Sequence, residues 1–333
     1  MPILGLCAVA VACGMLMAVH VSSASARFAA ALGACAGQSY VEFSCNPSDS
    51  SARTPLAGSH PSVSLVTRFS DVDPIDDPGG RVRDITYHLP PGLVGNPQAA
   101  PSCSMREFNA VPPTSEASSP TWQPCPSGAR VGAVEIRANS RIEGDRVLHH
   151  GDALGYLTGE VYLLTPEKGE PGVLGVFINP GEARAGLRVV APLVLRAGTD
   201  PGLDATITDM PSEVHRSGVR TIHAAVYEMT LSLDGILPSG RPFMRVPTSC
   251  AGATATLDAV SADGQSSRAA AVLLPRNCEA DPFSPQVTLG LEHTRAAEPS
   301  GLEVTVDMDQ RDRIVAPADL ARVRFALPEG LVF

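Results

Sequence analysis

The chain has 333 residues, enough for about two domains with cores of their own. A net charge of −10 withholds the basic face that nucleic-acid binding requires, and Lys168 is the single lysine among the basic residues. Charged residues make only 18% and aromatics 5%, while Gly and Pro, 30 of each, are spread along the whole length. That argues for many turns between short strands.

The first segment is apolar from Pro2 to Val21 and ends in Ser22-Ser-Ala-Ser-Ala26. Ala24-x-Ala26 meets the small-residue rule for signal peptidase, so residues 1–26 read as a signal peptide with Arg27 as the first mature residue. The stretch before the apolar run lacks Lys and Arg, and about 20 apolar residues can also span a bilayer, so an uncleaved anchor is the alternative. A lipoprotein reading at Cys13 is weaker, because Ala10 stands where a larger aliphatic residue belongs. Either way the protein is expected to be secreted or on the cell surface, with no integral membrane domain beyond this leader.

Cysteine usage agrees with export. Cys7 and Cys13 lie in the leader, leaving Cys35, Cys45, Cys103, Cys125, Cys250 and Cys278. Proximity in sequence favours the pairs Cys35–Cys45, Cys103–Cys125 and Cys250–Cys278. Each would close a loop of roughly 10 to 30 residues and contribute about 2–4 kcal/mol in an oxidising compartment. None of the pairs has the Cys-x-x-Cys spacing of a zinc site.

Residues 27–57 form a lead-in dominated by turn formers such as Asn46-Pro-Ser-Asp-Ser-Ser-Ala52. The body, residues 58–280, opens with an alternating strand, Val63-Ser-Leu-Val-Thr-Arg-Phe69. In the next strand Ile85, Tyr87 and Leu89 share one face, with Thr86 and His88 on the other. Pro90-Pro91 stops that strand, since proline cannot donate to a ladder, and Gly92 supplies the turn. Val131–Ile136 is the following strand. Residues 137–151 are polar and mark a possible subdomain boundary at 138–152. Beyond it, 156–164, 172–178, 186–195, 203–208, 219–226 and 227–233 are short β-rich runs separated by Pro- and Gly-containing turns. Strong helix signals are nearly absent. The fold class expected is all-β, a jelly-roll or Ig-like β-sandwich.

The chain repeats itself. Leu320–Val332 matches Val82–Val94 in its Leu-Pro-x-Gly-Leu-Val core and keeps apolar residues at Ile85/Val323 and Tyr87/Phe325. Upstream, Pro285-Gln-Val-Thr-Leu-Gly-Leu291 parallels Pro61-Ser-Val-Ser-Leu-Val-Thr67. Residues 281–333 therefore read as the start of a second, truncated unit. The reading favoured is a piece of a longer repeat protein over completion by another chain.

The order of motifs resembles that of large secreted repeat proteins of high-GC Gram-positive bacteria. The residues that carry it are Ala57–Pro61, Asp84-Ile-Thr-Tyr-His-Leu-Pro-Pro-Gly-Leu-Val-Gly-Asn-Pro97, Cys103, Cys125-Pro126 with Val131-Gly132, and Gly159–Leu163. Pro247-Thr-Ser-Cys250 and the Cys278 that leads into Asp281-Pro-Phe-Ser-Pro285 complete it. The resemblance implies β-rich repeats on an exported protein, and no activity or ligand.

Candidate chemistry is thin. Asp71, Asp73, Asp76 and Asp77 can supply carboxylate oxygens to a calcium ion from one short loop, but two prolines stiffen that loop and its spacing is not that of an EF-hand. The plain reading is a solvated strand connection, and no other cofactor is expected. His149-His150-Gly-Asp152 lacks a third metal ligand at a telling distance. No Gly-x-Ser-x-Gly, Walker A or Rossmann fingerprint occurs. Tyr156, Tyr162 and Trp122 can stack on a sugar, though scattered aromatics in a β protein usually belong to the core. The sequence thus points to a non-catalytic structural or adhesive surface protein, its partners being a cell-envelope component or neighbouring repeats. A carbohydrate-binding module, then an extracellular hydrolase, are the alternatives.

Overall fold

The computed structural model of the chain describes residues 28–37, 55–69, 81–142, 156–179, 186–198, 200–214, 222–278, 285–293, 295, 298–307, 323, 324 and 326. Among these residues sixteen strands run in chain order: β1 (Ala30–Gly37), β2 (Ser62–Phe69), β3 (Val82–Leu89), β4 (Val94–Gly95), β5 (Arg130–Ile142), β6 (Tyr156–Leu164), β7 (Gly172–Ile178), β8 (Leu187–Leu195), β9 (Leu203–Ile207), β10 (Glu213–Val214), β11 (Ile222–Leu233), β12 (Met244–Arg245), β13 (Ala253–Ser261), β14 (Ser266–Leu273), β15 (Gln286–Leu291) and β16 (Leu302–Asp307). A four-residue helix, α1 (Met105–Phe108), lies between β4 and β5.

Twelve strands form one antiparallel sheet in the order β1-β2-β11-β5-β6-β7-β8-β9-β3-β13-β14, with β10 attached to β11 alone. The class is all-β. The ladder is one continuous path, so the faces that meet across the core belong to a single rolled sheet and not to two separate ones. The proof of rolling is a contact: Thr67 Oγ1 of β2 lies 2.7 Å from Tyr87 Oη of β3, although the ladder separates these strands by most of its width. Twist supplies the curl. The first and last strands, β1 and β14, consequently lie side by side. They point the same way, because an odd number of strands alternates in direction between them. No ladder joins them among the described residues, and the Ala30 N–H donates to Ser267 Oγ at 2.9 Å.

Alternation places the core. In β2, Val63, Leu65, Thr67 and Phe69 point inward, and in β3 Ile85, Tyr87 and Leu89 do so, while Thr86 and His88 face out. Burial of the Tyr87 hydroxyl pushes its pKa up to about 12, with the Thr67 hydrogen bond working the other way. The interior is lined mainly by aliphatic side chains, with a gap of about 40 Å³ among Tyr87, Val134, Val161, Val176 and Met229. β5 continues through the polar residues 137–142 and pairs with β11 as far as Ile142 opposite Ile222. The runs 219–226 and 227–233 form one strand, β11, with a bulge between Val226 and Glu228.

β7 is buried on both faces along its whole length. Leu174, Val176 and Ile178 enter the main core, whereas Val173 and Phe177 join an outer cluster with Cys103, Phe108, Cys125, Ala129, Tyr162 and Leu164. The cover is the stretch between Pro101 and Ala129, closed by the Cys103–Cys125 disulfide. Its first turn docks as a strand would, with the Cys103 N–H donating to Leu163 O and the Thr165 N–H to Cys103 O. α1 then starts on a capping box, Ser104 with Glu107, in which each side chain accepts from the other's backbone N–H.

Candidate functional site

The stretch Leu89-Pro-Pro-Gly-Leu-Val-Gly95 builds one end of the sheet. The Leu93 N–H donates to Pro90 O, closing a turn with Pro91 at its second position and Gly92, at φ +82°, at its third. Only glycine takes that conformation without strain. β4 then pairs with β12, and Phe243 comes beneath the turn. Pro90, Leu93, Pro171, Leu193, Leu203 and Phe243 are among the walls of an open apolar shelf of about 250 Å³. Val94 and Leu195 stand on its rim, 36% and 59% exposed.

Arg196 ties the shelf to the outer face of the sheet. Its guanidinium donates to the carbonyl oxygens of Leu89 (2.8 Å) and Leu203 (3.2 Å) and to the carboxylates of Asp200 and Asp204. From there a row of charges crosses β9, β3, β13 and β14. His88 Nδ1 lies 2.8 Å from Asp204 Oδ1, and His88 Nε2 lies 3.0 Å from Asp258 Oδ2. Arg268 closes the row with two bonds to Asp258, both 2.6 Å. Hydrogen bonds from Arg268, reinforced by His88, outweigh partial burial and hold the Asp258 carboxyl down at about 2. Burial works to raise Asp204, yet bonds from Arg196 and His88 keep it below the ordinary carboxylate range.

The arrangement decides what this histidine can do. A carboxylate oxygen accepts, and each ring nitrogen of His88 has one within hydrogen-bond reach. A nucleophile-activating relay needs one ring nitrogen aimed at a hydroxyl or thiol. Here both nitrogens face carboxylates, and the hydroxyls beside them, Thr86 and Thr206, pair with each other at 3.3 Å. The row is a cross-strand tie. His60 Nδ1 meets the backbone carbonyl of Met244 at 2.8 Å, and His223 meets Glu213 across β10 and β11.

The residues singled out from sequence fall in different places. Asp71, Asp73, Asp76 and Asp77 lie outside the described residues, as do His149, His150 and Asp152 and residues 1–26. Among the described residues no group of three His, Cys, Asp or Glu side chains is placed to hold a metal ion, and no helix is long and apolar enough to cross a membrane. Two of the three expected disulfides are formed, Cys103–Cys125 and Cys250–Cys278. Cys35 contributes its backbone to β1, opposite Ser64, while its side chain and Cys45 lie outside the described residues.

The aromatics considered for sugar stacking do not form a platform. Tyr162 is buried and donates to Gln123, and Trp122 packs edge-on against Phe177. Tyr156 is exposed and donates to Glu135. Burial raises the Tyr162 hydroxyl, and the Glu135 hydrogen bond raises that of Tyr156.

Sequence reasoning missed Arg188 and Arg196. Arg188 sits over Phe177, 4.9 Å from the ring centre, and donates to the carbonyl oxygens of Phe108, Ala110 and Gly186, fastening the disulfide loop to β8. Nothing local in the sequence marks either arginine. In comparisons with protein-family models, with curated proteins and with solved structures, nothing matches this chain. The class its own residues define is an all-β, disulfide-bonded protein with one large rolled sheet.

Proposed function

We propose that this chain is an exported structural or adhesive module of the cell surface, non-catalytic, belonging to an array of related β units, and that it makes contact through the apolar shelf at the Leu89–Gly95 end. The observation that carries this reading is the shelf itself. Exposed aliphatic side chains surround a concavity whose walls are stiffened by prolines and by the four-way anchorage of Arg196. Preformed apolar surface of this kind binds without a large ordering cost. Two disulfides suit an oxidising compartment, and the charge row from Arg196 to Arg268 is occupied in ties between strands.

The test is co-sedimentation of the purified chain with cell-envelope fractions, comparing wild type with Leu195→Asp and Val94→Asp. Burying one such side chain is worth about 1.5–3 kcal/mol, so each variant should bind about tenfold more weakly or worse, with an unchanged melting temperature. Undiminished binding by both variants would remove the shelf from the reading. Hydrolysis of ester or glycoside substrates that disappears in His88→Ala would replace the reading with the hydrolase.

A further inference from the structure

β15 and β16 form a ribbon of two strands that pairs with no other strand among the described residues. Its register sets Val287 opposite Val306, Leu289 opposite Val304 and Leu291 opposite Leu302. Since side chains alternate along a strand, these six aliphatic residues share one face. Gln286, Thr288, Gly290, Glu303, Thr305 and Asp307 form the other. Val287, Leu289 and Leu291 are 54%, 66% and 50% exposed. A two-stranded hairpin by itself is marginally stable in water, so such a face calls for a cover.

The chain carries a template for that cover. Pro285–Leu291 matches Pro61–Thr67, the start of β2, and at the matching positions Val63, Leu65 and Thr67 are 3%, 5% and 0% exposed. The same pattern therefore lines a core in one place and meets solvent in the other. The inward face of β2 meets β3 across the interior, through Thr67 and Tyr87. The segment 320–332 repeats β3 and its turn, with Val323, Phe325 and Leu327 at the positions of Ile85, Tyr87 and Leu89. Val323, the one apolar member of that set among the described residues, is itself 43% exposed.

We propose that the 320–327 segment of this chain is the occupant of the apolar face of the β15–β16 ribbon. Val323, Phe325 and Leu327 close against Val287, Leu289 and Leu291 as the core of a second unit laid out on the β2–β3 plan. The inference rests on the reading of the chain as an array of related units. The polar face of the ribbon stays in solvent.

The experiment uses the full chain carrying Leu291→Cys with Phe325→Cys, the positions that match Thr67 and Tyr87, treated at low protein concentration with a short bifunctional thiol cross-linker and mapped by peptide mass. Facing sheets lie about 10 Å apart, beyond the reach of a disulfide but within that of the linker, so a 291–325 link within one chain is the supporting result. The control, Thr288→Cys with Phe325→Cys on the polar face, should lose that link. A 291–325 link found only between two chains, rising with concentration, would keep the match between units but overturn the in-chain occupant. No link in either form, or equal linking by the control, would overturn the occupant and the two-unit plan at this face together. A Phe325→Trp chain provides a second readout: its added emission should be blue-shifted, and Leu289→Asp should abolish the shift while Thr288→Asp leaves it.

Discussion

The two disulfide-closed regions of this protein look alike on paper and differ in what they hold. Cys103–Cys125 spans 22 residues and Cys250–Cys278 spans 28. On chain entropy alone their contributions differ by only about 0.2 kcal/mol. The first bond is buried and central to an outer apolar cluster, with Cys103 fully inaccessible. The second ties the two ends of the β13–β14 hairpin at the seam of the rolled sheet, and Cys250 is exposed. Similar loop lengths therefore conceal unequal roles: one bond holds a lid of side chains over β7, the other holds an edge in place.

That contrast can be broken at Phe177, which belongs to the outer cluster alone. Phe177→Ala should cost about 3–5 kcal/mol in denaturant unfolding, as for other fully buried aromatic residues cut to alanine. A loss under 1 kcal/mol would mean the lid is not part of the cooperative core. Removing the disulfides sharpens the same point. Cys103→Ser with Cys125→Ser should lower stability by about 2–5 kcal/mol, more than Cys250→Ser with Cys278→Ser, because the former also unseats packed side chains. Under a mild thiol reductant the order of reactivity should invert: alkylation mapping should find Cys250 and Cys278 modified first, since access governs exchange.

A smaller effect is expected at Arg188. Arg188→Leu leaves three carbonyl oxygens without their donor and should cost about 1–3 kcal/mol, with the loss showing as faster proteolysis between Pro101 and Ala129. The smallest lies in the charge row. Asp258 has a folded-state pKa held down at about 2 against an ordinary 3.8, so its stabilisation is complete above the ordinary value and is lost as pH falls toward 2. Wild type should therefore show a steeper acid-side loss of stability than Asp258→Asn, which keeps the loss that comes from Asp204. Identical pH profiles for the two would show that Asp258 contributes nothing measurable.

Much of the strand inventory was legible in the sequence. The faces of β2 and β3 follow from simple alternation, and the end of β3 follows from Pro90-Pro91 and Gly92. Signals for two further elements were present and went unread. Asp263-Gly264 is a strong hairpin signature, and it closes β13 onto β14 with Gly264 at φ +86°. Ser104-Met-Arg-Glu107 is a capping box, and it starts α1. The uninterrupted apolar run of β7 was visible, but what buries its second face was not, because the cover comes from a disulfide-closed loop far from β7 along the chain. The partners of His88 were beyond reach for the same reason: Asp204 and Asp258 lie 116 and 170 residues away along the chain.

The sequence by itself determined the local choices: which residues form strands, which face of each strand is apolar, where turns fall, and which neighbouring cysteines pair in the two bonds observed. These depend on alternation, on the missing N–H of proline and on the freedom of glycine, all written within a few residues. Only the tertiary structure decided how the strands are ordered. It placed β3 between β9 and β13, curled one sheet until β1 met β14, and lined up Arg196, Asp204, His88, Asp258 and Arg268 across four strands. Strand order is a long-range property, set by how whole faces bury one another, and no short window of sequence contains it.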